Sequence, residues 1–355
     1  MNGQTDISGN PAASARPAEQ GFRLPAEFEP HARCWMAWPC RSAAFGAHFE
    51  AARSAFASVA RAVAACEPVI MLANPEHLAD ATRRCGPGIE VRTLEMDDSW
   101  TRDTGPTFVR NRFGRVAGVV WRFNGWGGVW TEHRQDARMA RRILASWPMR
   151  AFEAELVLEG GAVHVDGEGT LLAVLPCLLD PARNPGLTRT DLEEILARYL
   201  NVTRFIWLEH GLEDDETAGH VDNVACFARP GLVLVHAAAD PDDGNHHRAR
   251  ENLARLQSAT DARGRRLEVI PIEQPARREG RNGRLCLSYI NFYLANGGAI
   301  IPAFDDPKDQ EARRIIEAVF PRRRVIQVPA LDIVHGGGGI HCVTLQQPMG
   351  EPASP

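Results

Sequence analysis

The stretch HVDNVACFARPGLVLVH, residues 220–236, contains two short apolar runs separated by an Arg-Pro-Gly turn. Apolar runs of this length on either side of a glycine-containing turn are typical of a β-hairpin. A polar residue, a strand, a turn with glycine and a second strand recur in the same order elsewhere in the chain. They recur at RDTGPTFVRNRFGRVAGVVW (102–121), EGGAVHVDGEGTLLAVL (159–175) and SYINFYLANGGAIIPAF (288–304), and HCVTLQQP (341–348) begins a fifth strand unit.

These hairpins recur at intervals of more than 50 residues, with helical segments between them. Apolar residues spaced three and four apart predict helices at 51–66, 135–147, 190–200, 248–256 and 308–320, and Thr190 is the expected N-cap of the third. Five similar units favour an α/β fold built by radial repetition. The alternative, a doubly wound α/β sheet, needs parallel strands joined by helices, and the hairpins argue against it.

Length and composition indicate a soluble globular protein. The 355 residues are 44% hydrophobic and 24% charged, which is enough apolar material for a sizeable core and rules out wholesale disorder. The net charge of −5 argues against nucleic acid as a partner, because surfaces that bind phosphates are basic. No run approaches the ~18 apolar residues needed to span a bilayer, so no membrane partner is expected.

The chain is expected to work in the cytoplasm as one folded domain at 21–348, with a short tail at 349–355. Residues 1–20 have no basic stretch followed by an apolar run, so we interpret them as a flexible polar leader rather than a secretion signal. The eight cysteines are scattered without a Cys-x-x-Cys pair, which is typical of reduced thiols in the cytoplasm.

Radial repetition would bring the polar residues at the hairpin starts together at one end of an axis. Asp103, Glu159, His220 and Cys342 would then lie close in space, although they are far apart in the chain. Two carboxylates, an imidazole and a thiol at matched positions are a set of groups that could perform chemistry.

Cys342 follows four glycines, Gly336 to Gly339, which let the backbone approach a ligand closely. A phosphate-binding loop would need a helix after the glycines, and here a strand is predicted. The alternative for Cys342 is a buried strand cysteine that alternates with Val343 and Leu345.

His220 and Asp222 are expected two residues apart at the start of a strand, which would place both side chains on one face. One could handle protons while the other holds a cation. The alternative is that His220 and Asp222 bind a zinc ion together with Cys342 or His341. No H-E-x-x-H or Cys-x-x-Cys motif is present, however, and we predict no metal.

Asp103 follows Trp100 and precedes a Gly-Pro turn, a setting that suits a cation. Paired carboxylates hold a planar guanidinium with bidentate hydrogen bonds, and an indole face adds cation–π attraction. Glu159, just before Gly160-Gly161, could orient an imidazole or share the cation. An exposed acidic turn is the alternative for Asp103, and a turn-capping acid is the alternative for Glu159.

With these motifs, the chain resembles the agmatine deiminase and bacterial-type peptidylarginine deiminase family of the guanidino-group-modifying, or pentein, superfamily. Seven ordered blocks carry the resemblance: GFRLPAEFEPHARCWMAWP, DDSWTRDTGPTFV, WRFNGWGG, LEGGAVHVDGEGTLL, GHVDNVACF, LSYINFYLANGG and GGGGIHCVTLQQP. The resemblance implies a five-bladed α/β propeller with pseudo-fivefold repeats, and a catalytic role for the domain at 21–348.

The resemblance also implies roles for individual residues. Cys342 would be the nucleophile and His220 the general acid and base, while Asp103 and Asp222 would hold the guanidinium nitrogens. Glu159 would support the imidazole and the substrate. The further residues expected to bind substrate are Trp100, Asp98, Trp126, Gly337, Gly338 and Gly339.

The implied reaction needs no metal or cofactor, and its partner is a small guanidine. The thiolate attacks the guanidinium carbon, ammonia leaves, and water releases a ureido product from a covalent thiouronium. The bound cation would favour the thiolate of Cys342 and the carboxylates would oppose it. The resemblance also suggests a homodimer.

Three departures from the family pattern leave the substrate open. Gly339 stands where Asn is common, Ala218 where Asp or Asn is common, and Val129 where Lys is common. Agmatine, which would give N-carbamoylputrescine, is the leading substrate. Arginine, a peptidyl C-terminal arginine or a smaller alkylguanidine is the alternative. Transfer of the amidino group to an amine, or guanidine or polyamine binding without catalysis, are the other functions to be distinguished.

Overall fold

The computed structural model describes residues 16–281 and 283–354, which form an α/β structure of several small sheets and flanking helices. In chain order the strands are β1 (Phe22–Arg23), β2 (His31–Ala37), β3 (Val69–Ala73), β4 (Glu90–Thr93), β5 (Thr107–Asn111), β6 (Arg115–Arg122), β7 (Ala151–Val157), β8 (Val163–Val165), β9 (Thr170–Val174), β10 (Arg204–Leu208), β11 (Ala225–Arg229), β12 (Leu232–Ala237), β13 (Glu268–Glu273), β14 (Glu279–Gly280), β15 (Gly283–Arg284), β16 (Tyr293–Ala295), β17 (Gly298–Ala303), β18 (Arg324–Pro329), β19 (Leu345–Pro348) and β20 (Glu351–Pro352).

The helices lie mainly between strands of the same sheet. They are α1 (Ser42–Phe45), α2 (Phe49–Ala64), α3 (Leu78–Cys85), α4 (Thr101–Thr104), α5 (Gly125–Gly128), α6 (Met139–Ser146), α7 (Leu175–Leu178), α8 (Arg189–Leu200), α9 (Asn245–Ser258), α10 (Asp309–Val319) and α11 (Leu331–Val334). Turns of 3₁₀-helix stand at Ala18–Gln20, Gly46–His48, Pro75–His77, Asp136–Arg138, Gly160–Ala162 and Val221–Asn223.

One arrangement recurs in five sheets of the described chain: an antiparallel pair, then a helix, then a strand parallel to the second member of the pair. The sets are β5–β6–β7, β8–β9–β10, β11–β12–β13, β16–β17–β18 and β19–β2–β3, with β4 added to the last and β1 and β20 to the first. The helices inside them are α6, α8, α9, α10 and α2. The predicted hairpin repeat is therefore confirmed, and the doubly wound alternative is wrong because the strands form small mixed sheets.

The fifth set joins the two ends of the described chain. Strand β19 pairs antiparallel with β2, so that Leu345 faces Trp35 and Gln346 faces Cys34. Because β19 follows Cys342 directly, this pairing places the cysteine beside elements from the beginning of the chain.

Helix α8 shows how local sequence sets an element boundary. Thr188, not the expected Thr190, is its N-cap, because the Thr188 hydroxyl accepts the backbone N–H of Asp191 and the Asp191 carboxylate accepts that of Thr188. This reciprocal pair is a capping box. The helix ends where Asn201 takes left-handed geometry with φ of 57°.

The expected leader and tail both contain ordered residues. Residues 18–20 form a 3₁₀ turn, and the Arg16 guanidinium donates to the Tyr199 hydroxyl at 2.7 Å. Strand β20 in the tail pairs with the start of β6. Residues 1–15 of the leader and Pro355 of the tail lie outside the described residues.

None of the helices in the described ranges has the length and apolar character needed to cross a membrane.

One buried side-chain hydrogen bond adds to the strand pairing that joins the two ends of the described chain, and its contribution can be tested. The Trp35 indole N–H donates to the Gln347 side-chain oxygen at 3.0 Å, and both residues are buried. We expect Gln347→Ala to lower the free energy of unfolding by about 1–3 kcal/mol, because it leaves the indole N–H unpaired. Urea unfolding measures this, and Gln310→Ala on exposed α10 is the control. Equal stability of the two variants would contradict the prediction.

Candidate active site

The predicted site residues stand in tight turns just before the first strand of each hairpin. Asp103 lies in α4, ahead of β5, and Glu159 stands at the start of the turn that precedes β8 without a side-chain capping bond. His220 caps the turn Val221–Asn223 ahead of β11. Cys342 lies in a turn ahead of β19. The prediction that His220 and Asp222 begin a strand is wrong, because Val221–Asn223 is a 3₁₀ turn.

These turns converge around Gly161. The Gly161 backbone N–H donates to Asp103 Oδ1 at 2.9 Å. A Cβ added at Gly161 would lie 2.7 Å from His220 Nδ1, 2.9 Å from Asp222 Oδ2 and 3.0 Å from Asp103 Oδ1. The Arg102 backbone N–H donates to the Cys342 carbonyl at 3.2 Å. Groups from four different turns therefore meet in one place, as the repeat predicts.

His220 is buried between carboxylates. Its Nδ1 lies 3.7 Å from Asp103 Oδ2 and its Nε2 lies 3.7 Å from Glu159 Oε2. Burial alone lowers the pKa of His220, but Asp103, Glu159 and Asp222 outweigh it and raise the pKa to about 9. The ring is therefore an imidazolium at neutral pH.

Glu159 is held by a fully buried arginine. The Arg183 Nε–H donates to both carboxylate oxygens at 2.9 and 3.1 Å, and its Nη2 donates to the Thr217 carbonyl at 2.8 Å. Burial raises the pKa of Glu159, but His220 and Arg183 outweigh it and hold the pKa below its ordinary value. Glu159 is thus an anion of fixed orientation facing His220.

Cys342 is buried, and its sulfur contacts Asp222 and Asn291. The Asn291 amide donates to the sulfur at 3.2 Å, and Asp222 Oδ2 lies 3.6 Å away. Burial, followed by the charges of Asp222 and Asp103, raises the pKa of the Cys342 thiol well above its ordinary value. In the absence of a bound cation the thiol therefore stays protonated, mainly because it is buried and also because the two carboxylates are close.

Asp222 is fixed by His341, which bridges it to a second buried acid. His341 Nδ1 donates to Asp222 Oδ2 at 2.8 Å and Nε2 donates to Glu27 Oε2 at 2.7 Å. Burial lowers the pKa of His341, but these carboxylates outweigh both burial and Arg102 and raise it. Both ring nitrogens are thus engaged with carboxylates, which leaves no lone pair for the zinc alternative that includes His341.

Two polar atoms of the site are buried without a hydrogen-bond partner in the described residues: Asp222 Oδ1 and His220 Nε2. An unpaired buried carboxylate oxygen is costly unless a ligand reaches it. Asp103 adds a second carboxylate whose pKa burial raises. The arrangement suits a flat cation held between Asp103 and Asp222.

A cavity of about 370 Å³, including its open mouth, leads to Cys342. Most of its lining is aromatic side chains, two acids and part of the glycine segment, residues 336–339. The lining residues are Trp100, Asp103, Trp126, Val129, Trp130, Glu216, Thr217, Gly336, Gly337, Gly338 and Cys342. The predicted residues Trp100, Trp126, Gly337 and Gly338 line it, and the Trp126 indole N–H donates to Asp103 Oδ2 at 2.9 Å.

Two predicted substrate-binding residues are not in this lining. Gly339 faces Asn291, whose Oδ1 would lie 2.4 Å from an added Cβ. Asp98 is fully buried beside Arg41, with a carboxylate oxygen 3.6 Å from Arg41 Nε, and burial raises its pKa to about 6. Their expected role in substrate binding stays a prediction.

Gly338 illustrates why the glycines are needed. A Cβ there would lie 2.6 Å from the Trp100 ring and 3.0 Å from the Cys342 Cβ. The glycine segment therefore lets the backbone pass between the aromatic wall and the cysteine.

Several residues that shape the site were not singled out from the sequence. Glu27, Arg183 and Asn291 position the reactive groups, and Glu216 lines the cavity. Asn291 lies three residues after Ser288, the start of the fourth hairpin unit, so the repeat indicates its neighbourhood but not the residue itself. Arg183 lies in an irregular segment after α7, and no sequence pattern marked it.

Comparisons with known proteins give consistent matches. A family model described as Porphyromonas-type peptidyl-arginine deiminase matches residues 23–348. The agmatine deiminase of Pseudomonas aeruginosa strain LESB58 is 44% identical over 363 residues, covering 96% of this chain and 98% of that protein. The agmatine deiminase of Stutzerimonas stutzeri is 44% identical over 359 residues, covering 94% and 98%. The solved agmatine deiminase of Enterococcus faecalis superposes with a TM-score of 0.92 at 34% identity, covering 95% and 98%.

The protonation state of Cys342 predicts how it reacts. We expect alkylation by neutral 2-chloroacetamide to accelerate about tenfold per pH unit from pH 6 to 9, because only the thiolate reacts and its pKa is raised. Cationic 2-chloroacetamidine should react faster at every pH, because its charge binds the carboxylates and favours the thiolate. Mass spectrometry measures both rates at Cys342, with Cys342→Ala as the blank. A pH-independent rate with the neutral reagent would contradict the prediction.

The bridge through His341 predicts a second difference between these reagents. In His341→Asn the imidazolium is lost and Asp222 keeps only a neutral donor, so a charge-assisted bond worth about 1.5 kcal/mol or more disappears. We expect labelling by 2-chloroacetamidine to fall roughly tenfold or more, and labelling by 2-chloroacetamide to change much less. His164→Asn, which removes a nearby ring that does not bond Asp222, is the control. Equal losses with both reagents would indicate a general packing defect instead.

Proposed function

The chain belongs to the Porphyromonas-type peptidyl-arginine deiminase family, and we propose that it hydrolyses agmatine to N-carbamoylputrescine and ammonia. One observation carries this function: the thiol of Cys342 and the carboxylate of Asp103 line one cavity, and the side chains that contact them from behind are the imidazolium of His220 and the carboxylate of Asp222, which has an unpaired oxygen. This arrangement fits a planar guanidinium beside a nucleophile.

The guanidinium is recognised by shape and charge. Asp103 and Asp222 face it from two turns and accept its N–H groups in the plane of the cation. The indoles of Trp100 and Trp126 line the same cavity and supply apolar walls and π faces for the cation and its alkyl chain. Such alignment fixes the central carbon for attack by the sulfur of Cys342.

The lining of the cavity favours an amine over a carboxylate in the substrate tail. Glu216 lines the cavity together with Val129 and Trp130. A carboxylate there attracts the ammonium tail of agmatine, whereas the α-carboxylate of arginine would meet a like charge. Val129, in the same lining, is uncharged and so adds no repulsion for the tail.

The reaction begins with loss of the thiol proton. Arrival of the guanidinium places a positive charge beside Cys342 and lowers the thiol pKa, so the proton leaves to solvent as the cation binds. The thiolate attacks the guanidinium carbon and forms a tetrahedral adduct. His220, protonated at neutral pH, donates its proton to one nitrogen, and ammonia leaves. An S-alkylthiouronium on Cys342 remains.

Water completes the cycle. The neutral His220, oriented by Glu159, removes a proton from a water molecule that attacks the thiouronium carbon. Collapse of the second adduct forms the carbonyl and breaks the carbon–sulfur bond, and the hydroxyl proton passes to the departing sulfur, which returns Cys342 as a thiol. The product carries a urea group in place of the guanidinium.

We also infer that the five repeated sheets surround one axis as a five-bladed propeller. The convergence of their leading turns on Gly161 and Cys342 supports this arrangement. The family match at 23–348 supports one catalytic domain over almost the same range as the predicted 21–348. The homodimer and the cytoplasmic location stay predictions.

A substrate panel tests the function. We expect purified protein to release ammonia from agmatine and to form N-carbamoylputrescine, and to turn over arginine and butylguanidine, which lacks the amine, at least about tenfold less efficiently. Glu216→Gln should reduce the preference for agmatine over butylguanidine, because the charge on the amine loses its partner. Coupled ammonia assay and mass spectrometry of the product provide kcat/KM for each substrate.

The controls distinguish an error in the proposed substrate from an error in the proposed type of reaction. Glu209→Gln, on the same segment but paired with Arg255 at the surface, should leave the preference unchanged. Cys342→Ala should abolish turnover and leave the melting temperature nearly unchanged. Turnover of another guanidine but not of agmatine would show that agmatine is not the substrate, and the protein would still be a guanidine deiminase. An amidino group transferred to an added amine, with no urea-type product, would overturn hydrolysis.

A further inference from the structure

A second group of chemically capable side chains lies on the surface, outside the substrate cavity. His210 follows β10, and His247 and Glu251 stand four residues apart on α9. His210 Nε2 lies 2.5 Å from Glu251 Oε2, and His247 Nε2 lies 3.1 Å from Glu251 Oε1. One donor atom from each residue lies within 4.8 Å of the other two.

The Nε2 atoms of the two imidazoles approach the same carboxylate, that of Glu251. Their ring centres are 5.8 Å apart and their planes meet at 67°. A metal ion is bound by the lone pair in the plane of each ring, so two rings at a steep angle can point at one ion. One carboxylate oxygen of Glu251 lies next to each imidazole.

A second pair of histidines in the chain provides a contrast. His48 and His335 stack with ring centres 3.6 Å apart and planes within 8°, and Asp332 accepts from His48 at 2.8 Å. Parallel stacked rings direct their lone pairs side by side rather than at a common point. Similar residue types are therefore present at both places, but only the geometry at His210 and His247 suits one ion.

We propose that His210, His247 and Glu251 bind a divalent transition-metal ion, with Zn²⁺ as the best match. Two imidazole nitrogens and one carboxylate are a common zinc donor set, whereas Mg²⁺ and Ca²⁺ prefer oxygen ligands. The position is solvent-accessible, since the side chain of His247 is 75% exposed, so water completes the coordination. The ion is structural and takes no part in the chemistry at Cys342.

The ion fastens one wall of the substrate cavity to α9. The segment 209–219 runs from the end of β10 to the turn that holds His220. It carries Glu216 and Thr217, which line the cavity. Protein bonds already tie it to the helix, because the Asn252 amide donates to the His210 carbonyl at 2.7 Å and Asn245 Oδ1 accepts the Glu213 backbone N–H at 2.7 Å. A shared metal adds one more tie, at the end of the segment farthest from His220.

Isothermal titration with ZnCl₂ tests the site in a Cys342→Ala background, which removes the reactive thiol as a competing ligand. We expect one more Zn²⁺ per chain in this background than in the same protein carrying His247→Asn or Glu251→Gln. Both substituted residues are exposed, so the variants fold. His48→Asn, the matched control at the stacked pair, should keep the full stoichiometry, and MgCl₂ should give no binding heat.

Two further measurements test whether the ion stabilises the protein and orders the segment 209–219. Saturating Zn²⁺ should raise Tm by roughly 2–5 °C and slow hydrogen exchange of backbone amides in 209–219, with neither change in His247→Asn. Zinc binding that survives both His247→Asn and Glu251→Gln, or that leaves exchange in this segment unaltered, would overturn the proposal. None of these measurements uses agmatine, so the result does not depend on the proposed function.

Discussion

Four carboxylates buried in one small region constrain the rest of the structure. Buried acids are costly unless cations and hydrogen bonds compensate them. Glu27, Asp103, Glu159 and Asp222 are faced, within the described chain, by Arg102, Arg183, His220 and His341. With the thiol of Cys342 protonated, these four anions and four cations offset one another, and Asp180 is a partly exposed further partner of Arg183. A guanidinium that enters adds one positive charge, and loss of the thiol proton restores the balance. Binding of a cation and creation of the nucleophile are therefore linked.

The fold was largely predictable because its signal is local. Alternating apolar residues around glycine turns identified the hairpins, and helical spacing identified α2, α8, α9 and α10 to within a few residues. Helix α3 was missed because it has only eight residues and half of them are polar. The N-cap of α8 was misplaced by two residues because two threonines compete there, and only Thr188 has the extended backbone that a cap requires.

The site was predictable only where chemistry coincided with the repeat. Asp103, Glu159, His220 and Cys342 occupy matched turns, so their convergence could be predicted without coordinates. The strand geometry assumed for His220 and Asp222 was wrong, since a polar residue after glycine can begin a single 3₁₀ turn as readily as a strand. Arg183 and Glu27 act across long sequence distances, and neither stands in a pattern that marks a partner.

Because Cys342 is buried, the link between cation binding and thiolate formation also determines which molecules react with the sulfur. A permanently ionised thiolate would react with any electrophile that reached it, whereas a thiol held protonated by burial and by Asp222 and Asp103 is a poor nucleophile. A neutral molecule in the cavity does not alter this balance, and an anion is repelled by the same carboxylates. Only a cation that fits between them supplies the charge that favours the thiolate. The carboxylates thus contribute twice, since they hold the substrate and also keep the nucleophile inactive until the substrate is present.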